Sequence, residues 1–268
     1  MYALALLYYI ANMKYQELDH FIKNSNKEYL PHLSLDCVVF GFHENMLKVL
    51  LLKMKHADKW ALAGGFVKPA ESLETAAARV LKERTGLDNI FLQQFHVFSE
   101  PDRSDAKTKT DFLKKANKPF SKDDWFLQRF LSIGFYALVD FSTVNPTPDD
   151  LSDACIWCDI NDVKTLLFDH NRILNKALEV LRLQLNYQPI GYNLLPEKFT
   201  MPELQKLYET ILNHPLDRRN FQRKILSYGI LRQLKEKRQG VAHKAPYLYS
   251  FDLRTYRRAL KEGLQGVW

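Results

Sequence analysis

Residues 64–87 combine a glycine turn with a helix that carries several charged side chains. Gly64 and Gly65 permit a tight turn with positive φ. An alanine-rich helical run opens after Glu71 and ends at Gly86, which stands where a left-handed residue usually terminates a helix. Carboxylates repeated along one helix face can bind a hard divalent cation such as Mg²⁺, which prefers oxygen ligands. The carboxylates of this stretch that could contribute to such a site are Glu71, Glu74 and Glu83.

The helix face that would hold such a metal is poor in carboxylates. Helical spacing predicts that Val80, Glu83 and Arg84 share a face, which offers one hydrocarbon, one carboxylate and one fixed positive charge. A cation a few Å from Arg84 is repelled by about 4 kcal/mol at an effective dielectric constant of about 20. The sequence therefore predicts no bound metal. Two interpretations of Glu83 stay open: an ion pair on a purely structural helix, or residual metal binding with help from Glu71 and Glu74.

The spacing of this stretch is that of a Nudix box, and the chain resembles the Nudix superfamily here. In Nudix hydrolases the glutamates of the box hold magnesium against a diphosphate, and Val80 and Arg84 stand at two of their places. The resemblance implies a retained Nudix α/β/α sandwich with a damaged active site and no catalytic residues. The residues that match the box are Gly65, Glu71, Arg79, Leu81, Glu83, Gly86 and Leu87.

The elements around the box are mostly strands. Two β-rich runs at 34–42 and 47–54 predict a hairpin ahead of the glycines, and further strands are predicted at 90–99, 130–139 and 154–160. An amphipathic helix follows Asp169, its predicted N-cap. This order of strands, glycines and helix is that of the Nudix sandwich.

Residues 101–125 interrupt the strand pattern. They contain many lysines and little periodic hydrophobicity, which predicts an inserted surface loop. Arg103 in this region is a candidate for contact with an anionic ligand. His170, at the start of the amphipathic helix, is a second candidate, although a histidine at a helix start is usually solvated.

Charge is distributed unevenly along the 268 residues. The net charge is +7, and residues 196–268 alone hold 15 Lys and Arg against 7 Asp and Glu. Such asymmetry predicts an anionic partner for the C-terminal part, nucleic acid before a membrane surface because no long apolar face accompanies the charge. The three cysteines suit a reducing cytoplasm, and Cys155 and Cys158 face opposite ways in a β-type run, which favours a structural role over a zinc or redox site.

The N-terminal residues begin with an apolar run. It lacks a basic region and is too short to cross a bilayer, so neither a signal peptide nor an anchor is predicted. Met13 is preferred over Met1 as the start of the protein.

The C-terminal part has the pattern of a winged helix-turn-helix. Thr200 and Glu203 form a predicted capping box, and a second helix at 217–228 places Phe221, Ile225 and Leu226 inward with basic residues outside. Two strands around a basic loop then predict a wing. Candidate DNA contacts are Arg218, Arg219, Asn220, Gln222, Arg223, Lys224, Lys235, Lys237, Arg238 and Lys244.

The whole chain resembles the Nudix-related transcriptional regulators, on words such as Leu194-Leu195-Pro196 and Leu216-Asp217-Arg218-Arg219-Asn220-Phe221. The likeness is greatest to the branch that controls arabinose and pentose use, with the NAD-biosynthesis regulators second. It implies an N-terminal extension at 1–33, a Nudix domain at 34–188 and a winged helix at 189–268. It also implies a cytoplasmic homodimeric repressor that binds double-stranded operator DNA and a small effector, either a sugar or an ADP-ribose-like molecule.

A second reading from another class stays open. The chain would then be a Nudix hydrolase that cleaves a nucleoside diphosphate-linked substrate such as ADP-ribose, with Mg²⁺ as cofactor. In the regulator reading no cofactor and no enzyme activity are expected.

Overall fold

The computed structural model describes most of the chain as a mixed α/β protein. Met1, Met13, Leu87 and Lys244, each named above for its sequence context, lie outside the described part. None of the described helices is both long and apolar enough to cross a membrane. The described residues are 20, 24–86, 88, 90, 92–103, 106–117, 119–121, 124–144, 146–148, 152–239 and 245–264.

Helices and strands follow the predicted order. The strands are β1 (Leu33–His43), β2 (Met46–Met54), β3 (Trp60–Ala61), β4 (Ala63–Phe66), β5 (Leu92–Phe98), β6 (Leu131–Val139), β7 (Ser152–Asp159), β8 (Phe199–Thr200), β9 (Leu231–Lys237) and β10 (Tyr247–Phe251). The helices of ten or more described residues are α1 (Leu73–Thr85), α2 (Ala106–Lys115), α3 (His170–Gln184), α4 (Met201–Leu212), α5 (Arg218–Ser227) and α6 (Leu253–Glu262).

Strand β1 organises the larger sheet, whose order is β3-β2-β1-β6-β5. It pairs antiparallel with β2, parallel with β6, and through Leu35 and Asp36 with Gly65 and Gly64 of β4. Strand β7 adds to β2. The pairing of β4 with β1 thus brings the glycine turn against Asp36.

The sheet is buried on both faces because a helix packs on each, and β1 directs alternate side chains to the two sides. Leu35, Cys37 and Val39 pack in a core with α1. Val38 and Phe40 pack in a second core with α3. The Nudix-type α/β/α sandwich predicted from the sequence is confirmed. Along β7, Cys155 packs against the first core and Cys158 against the second, so the two thiols lie on opposite faces as predicted.

The insertion is not the surface loop that the sequence predicted. Residues 106–115 form α2, and a 3-10 turn follows at Trp125–Leu127. Leu113 and Ala116 are almost completely buried. Leu113 therefore lies on the buried side of a short, mostly polar helix, which is why a search for a long apolar period misses it.

The C-terminal part is a winged helix, also as predicted. Thr200 accepts a hydrogen bond from the Glu203 amide while the Glu203 carboxylate accepts from the Thr200 amide, which confirms the capping box of α4. Asp217 caps α5, and β8, β10 and β9 form the small sheet. Leu226 is the exception to the predicted inward face: it is 41 % exposed, because the helix is about to end there.

One hydrophobic core continues from the sandwich into the winged helix. Leu174, Leu181, Leu207 and Ile225 belong to the same buried cluster. The Arg182 Nε–H donates to the Ile211 carbonyl oxygen at 2.8 Å, and the Thr210 hydroxyl donates to the Asn45 carbonyl. Helix α3 therefore lies in contact with both parts of the molecule.

Candidate functional site

Val80 points into the protein rather than toward a ligand. It is 2 % exposed, and a Cβ built on Gly65 would lie 2.6 Å from Val80 Cγ2. The helix face predicted to carry Val80, Glu83 and Arg84 is therefore buried at Val80. Helix α1 packs with the Val80 side chain directed at the glycine turn.

The two remaining box glutamates are both bound by Arg79. The guanidinium reaches both Glu71 carboxylate oxygens, at 2.6 and 2.8 Å, and Glu83 Oε2 at 2.9 Å. It also donates to the Phe66 carbonyl at 2.8 Å. These hydrogen bonds from Arg79 hold the pKa of Glu71 below its usual range, against the opposing effect of burial. Of the two readings of Glu83, the geometry favours the ion pair.

The family implies a magnesium ion, and the described donors do not fit one. Mg²⁺ requires several oxygen ligands in near-octahedral geometry. Within the described residues no three carboxylate, histidine or cysteine side chains converge on one point. The nearest carboxylates are ion-paired, and the other two box positions carry a hydrocarbon and a guanidinium. No chemical step through a metal can be built on this set.

A cavity of about 180 Å³ lies between the glycine turn, β1, the start of α3 and the inserted helix α2. Its described charged lining consists of Asp36, Arg84, Arg103 and Lys109, three cations and one carboxylate. The wall is otherwise mostly apolar. Its aromatic members are Phe66, Phe112, Phe126, Phe130 and Phe168. Cations beside aromatic rings are suited to a ligand that joins an anionic group to a flat ring.

Asp36 is the centre of a buried polar cluster at one end of this cavity. Its Oδ2 accepts from the Arg103 Nη2 at 3.4 Å and from the Ser132 hydroxyl. His170 Nε2 lies 3.3 Å from Asp36 Oδ1, and His170 Nδ1 accepts from the Leu62 amide at 2.9 Å, so Nε2 carries the proton that faces Asp36. Burial by itself raises the pKa of Asp36, but His170, Arg103 and Ser132 outweigh burial and lower it to about 2.

Arg103 joins the insertion to α3. Its Nε and Nη2 donate to the two Asp169 oxygens, each at 3.2 Å, and its side chain is 5 % exposed. Asp169 stands at the N-cap position of α3 as predicted, but its side chain makes no capping hydrogen bond. Burial raises the pKa of Asp169, and Arg103 opposes that rise. The aspartate therefore holds the guanidinium instead of capping the helix.

Lys109 brings a third cation into the cavity from the inserted helix. It is 5 % exposed, its Nζ donates to the Gln128 carbonyl at 2.6 Å, and it lies 5.0 Å from the centre of the Phe130 ring. A lysine buried against an aromatic ring gains a cation–π attraction. The insertion thus forms one wall of the cavity.

Sequence patterns indicate only part of this cavity. They point separately to Arg103 and His170, which lie together at Asp36, although the sequence predicted a solvated histidine. Asp36 itself was missed, and its signal was a charged residue inside the apolar run of β1. Lys109 gave no signal, since it resembles the other lysines of the insertion.

The candidate DNA surface is displayed by α5 and the wing. Arg218, Arg219, Asn220, Arg223 and Lys224 are exposed on α5, as are Lys235 and Lys237 on β9. Two of the candidate DNA contacts are less available for DNA than these exposed residues. Gln222 is half-buried, and Arg238 forms an ion pair with Glu203 of the capping box. The Arg238 charge is therefore already paired within the protein.

We expect a methyl group at Gly65 to destabilise the fold through Val80. The Gly65→Ala change forces a Cβ against Val80 Cγ2, and overpacking of this kind costs about 1–3 kcal/mol. Urea unfolding of Gly65→Ala, Val80→Ala and the double variant measures it. The double variant should recover most of the Gly65→Ala loss, and two fully additive losses would contradict the packing described here.

Two family models match the chain. Residues 30–179 match the NUDIX domain, and residues 191–251 match the NrtR DNA-binding winged helix domain. A solved structure, NrtR from Shewanella oneidensis, is 26 % identical with a TM-score of 0.65, over 84 % of this chain and 96 % of that one.

Two curated relatives are similar over large parts of the chain. An ADPR responsive transcriptional repressor, NtrR from Acinetobacter baylyi, is 26 % identical over 234 residues, which cover 84 % of each chain. An ADP-ribose pyrophosphatase from Methanocaldococcus jannaschii is 30 % identical over 155 residues, 57 % of this chain and 78 % of that one.

Proposed function

The chain belongs to the NUDIX family, and we propose that it is a ligand-responsive transcriptional repressor in which the NUDIX domain binds the effector and the winged helix binds operator DNA. The observation that carries the proposal is the pairing of two surfaces in one molecule. A box whose Glu71 and Glu83 are ion-paired to Arg79 adjoins a cationic, aromatic-lined cavity, and an exposed basic helix lies in the attached winged helix.

We propose an ADP-ribose-like effector in preference to a sugar. The relative from Acinetobacter is a repressor responsive to ADP-ribose, and the winged-helix match is of the NrtR type, so the expected closeness to the pentose branch is not supported. The cavity supports the same choice, because a pentose has neither a phosphate for Arg84, Arg103 and Lys109 nor a flat base for the phenylalanines.

In this proposal, helix α3 couples effector binding in the cavity to the position of the winged helix. Asp169 and His170 at its start contact the cavity cluster, while Arg182 near its end donates to Ile211 of α4. A ligand anion that competes with Asp169 for Arg103 would shift α3 and, with it, the winged helix. The proposed dimer then no longer presents two recognition helices at operator spacing.

The decisive experiment measures the release of DNA. The full chain is titrated onto a fluorescein-labelled duplex containing a sequence selected from a random pool, and ADP-ribose is then added. We expect anisotropy to rise with protein and to fall with ADP-ribose but not with arabinose. An ADP-ribose titration that leaves the complex intact would contradict the proposed effector, and a lack of binding at low salt would contradict the regulator itself.

The variant Lys109→Met tests whether the cavity is the effector site. It retains the aliphatic stem of a buried side chain but removes its charge from the cavity, and it leaves the DNA surface unchanged. We expect unchanged DNA affinity with weaker release by ADP-ribose. Equal weakening of both would indicate a folding defect rather than a ligand contact.

A hydrolase is the second candidate, because the relative from Methanocaldococcus is an ADP-ribose pyrophosphatase. The same purified protein, incubated with ADP-ribose and Mg²⁺ or Mn²⁺, decides between the two. Rapid hydrolysis of ADP-ribose to AMP and ribose phosphate would favour the hydrolase over the repressor.

A further inference from the structure

Arg84 is fixed at the wall of the cavity by the glycine turn. It belongs to the last turn of α1, and its Nε donates to the Gly64 carbonyl oxygen at 3.0 Å. Gly64 and Gly65 line the same wall. The guanidinium is therefore held beside the turn by a backbone contact rather than left to move as a long surface side chain.

The charge of this wall is set by side chains that do not depend on a bound ion. Arg84, Arg103 and Lys109 line the cavity, and Asp36 is the one carboxylate among its described lining residues. Asp36 is itself engaged by Arg103 and His170. Cations therefore outnumber carboxylates among the described lining side chains, which favours an anionic ligand.

An arginine can replace a metal ion as the counter-charge of a phosphate. Its guanidinium is planar, keeps its charge at every relevant pH, and presents N–H donors in a fork that matches two phosphate oxygens. A guanidinium does not polarise an attacking water as a metal does. Such a replacement preserves binding and removes hydrolysis.

We propose that Arg84 supplies, as a permanent side-chain cation, the positive charge that a divalent metal supplies in a NUDIX hydrolase, so that the cavity binds a diphosphate without any metal. For the nature of the ligand this rests on the proposed function. The metal-free character rests on this chain's own residues: Val80 in the core, Glu71 and Glu83 bound to Arg79, and Arg84 on the cavity wall.

Calorimetric titration of the full chain with ADP-ribose, in EDTA and in Mg²⁺, tests the proposal. We expect the same Kd in both buffers. Arg84→Gln should weaken binding about tenfold to a hundredfold, the equivalent of a charge-assisted hydrogen bond of about 1.5–3 kcal/mol. Arg84→Lys keeps the charge without the fork and should fall in between.

Lys82→Gln is the matched control. Lys82 lies two residues earlier on α1, and its Nζ pairs with Asp88 on the surface, so the change removes one positive charge from the same turn outside the cavity. We expect an unchanged Kd. Circular dichroism and the Tm of each variant show whether it is folded, and Arg84→Lys remains informative if Arg84→Gln is not.

Failure of this proposal and failure of the proposed effector give different results. If ADP-ribose binding requires Mg²⁺, or is unchanged in Arg84→Gln, the proposed role of Arg84 is overturned. ADP-ribose would then still be supported as the effector. If ADP-ribose binds in neither buffer, the proposal that ADP-ribose is the effector is contradicted. Inorganic pyrophosphate and Mn²⁺ are then titrated separately. Pyrophosphate bound in EDTA and weakened by Arg84→Gln supports the proposal, whereas a stoichiometric Mn²⁺ site, or no pyrophosphate binding, overturns it.

Discussion

Replacement of Arg103 by methionine should destabilise the protein by about 3–5 kcal/mol, the usual cost of removing one partner from a buried ion pair. Methionine keeps much of the volume but leaves Asp36 and Asp169 without their shared guanidinium, at side chains only 9 % and 10 % exposed. The Phe130 carbonyl also loses its donor. Urea unfolding followed by tryptophan fluorescence measures the change.

A surface pair provides the comparison for this variant. Arg172 is half-exposed and pairs with Glu100, so Arg172→Met should cost about 0–1 kcal/mol. Adding Asp169→Asn to Arg103→Met should restore part of the loss, because a neutral amide is less costly to bury than an unpaired carboxylate. If Arg103→Met loses no more than Arg172→Met, the cluster at Asp36 does not stabilise the fold.

The pH dependence of stability distinguishes the two aspartates. The pKa of Asp36 lies at about 2 in the folded protein and at 3.8 without perturbation. Its stabilising contribution is therefore present above about pH 4 and lost as the pH falls toward 2. The pKa of Asp169 is raised, so its effect on stability has the opposite sign: protonation of Asp169 makes the folded protein more stable as the pH falls. In the Asp36→Asn variant, the free energy of unfolding, measured by urea titration at a series of pH values, should no longer show the decrease between about pH 4 and pH 2 that is attributed to Asp36.

Removal of three charges from the recognition helix should weaken DNA binding at least a hundredfold. Arg218, Arg219 and Arg223 are exposed on α5, and removing an arginine that binds phosphate or guanine costs about 1–3 kcal/mol. Because the neutralisation of phosphates releases counterions, the slope of log affinity against log salt should also fall by about 0.9 for each phosphate that the variant no longer neutralises. Anisotropy across a salt series measures both effects for the triple alanine variant.

The control removes equal charge elsewhere. Lys59, Lys114 and Lys164 are exposed on the NUDIX domain, and their triple alanine variant should bind DNA like the unchanged protein. Equal loss in both triple variants would show that only net charge matters and would contradict a recognition helix. The full chain is used because the hydrophobic core continues across the two parts, so that residues 189–268 alone would expose part of it.

Local rules in the sequence predicted the framework. The alternation along β1, the capping box at Thr200 and Glu203, and Asp217 as an N-cap each depend on neighbours within a few residues. Such short-range interactions can be read from the order of residues alone. They were sufficient for the winged helix, whereas the sandwich was expected from the resemblance of the box to the Nudix superfamily.

The cavity depends on interactions that sequence order does not reveal. Arg103 meets Asp36 across 67 positions and Asp169 across 66. Helix α2 is too short and too polar for its buried face to show a clear period. Helical spacing puts Val80 on one face with Glu83 and Arg84, but spacing does not indicate which side of a helix meets the sheet. Tertiary packing decides all three cases.

The contact between Val80 and Gly65 also bears on whether a metal site could be built on this helix. Val80→Glu would place a carboxylate at a position 2 % exposed, against a glycine turn with no room for it. Such a variant would be destabilised by several kcal/mol before it gained a metal ligand, and Arg84 would still repel the ion. Building a metal site on this helix would therefore need several changes at once. In the proposed repressor, a single substitution can therefore change how the cavity binds its ligand but does not by itself build a metal site.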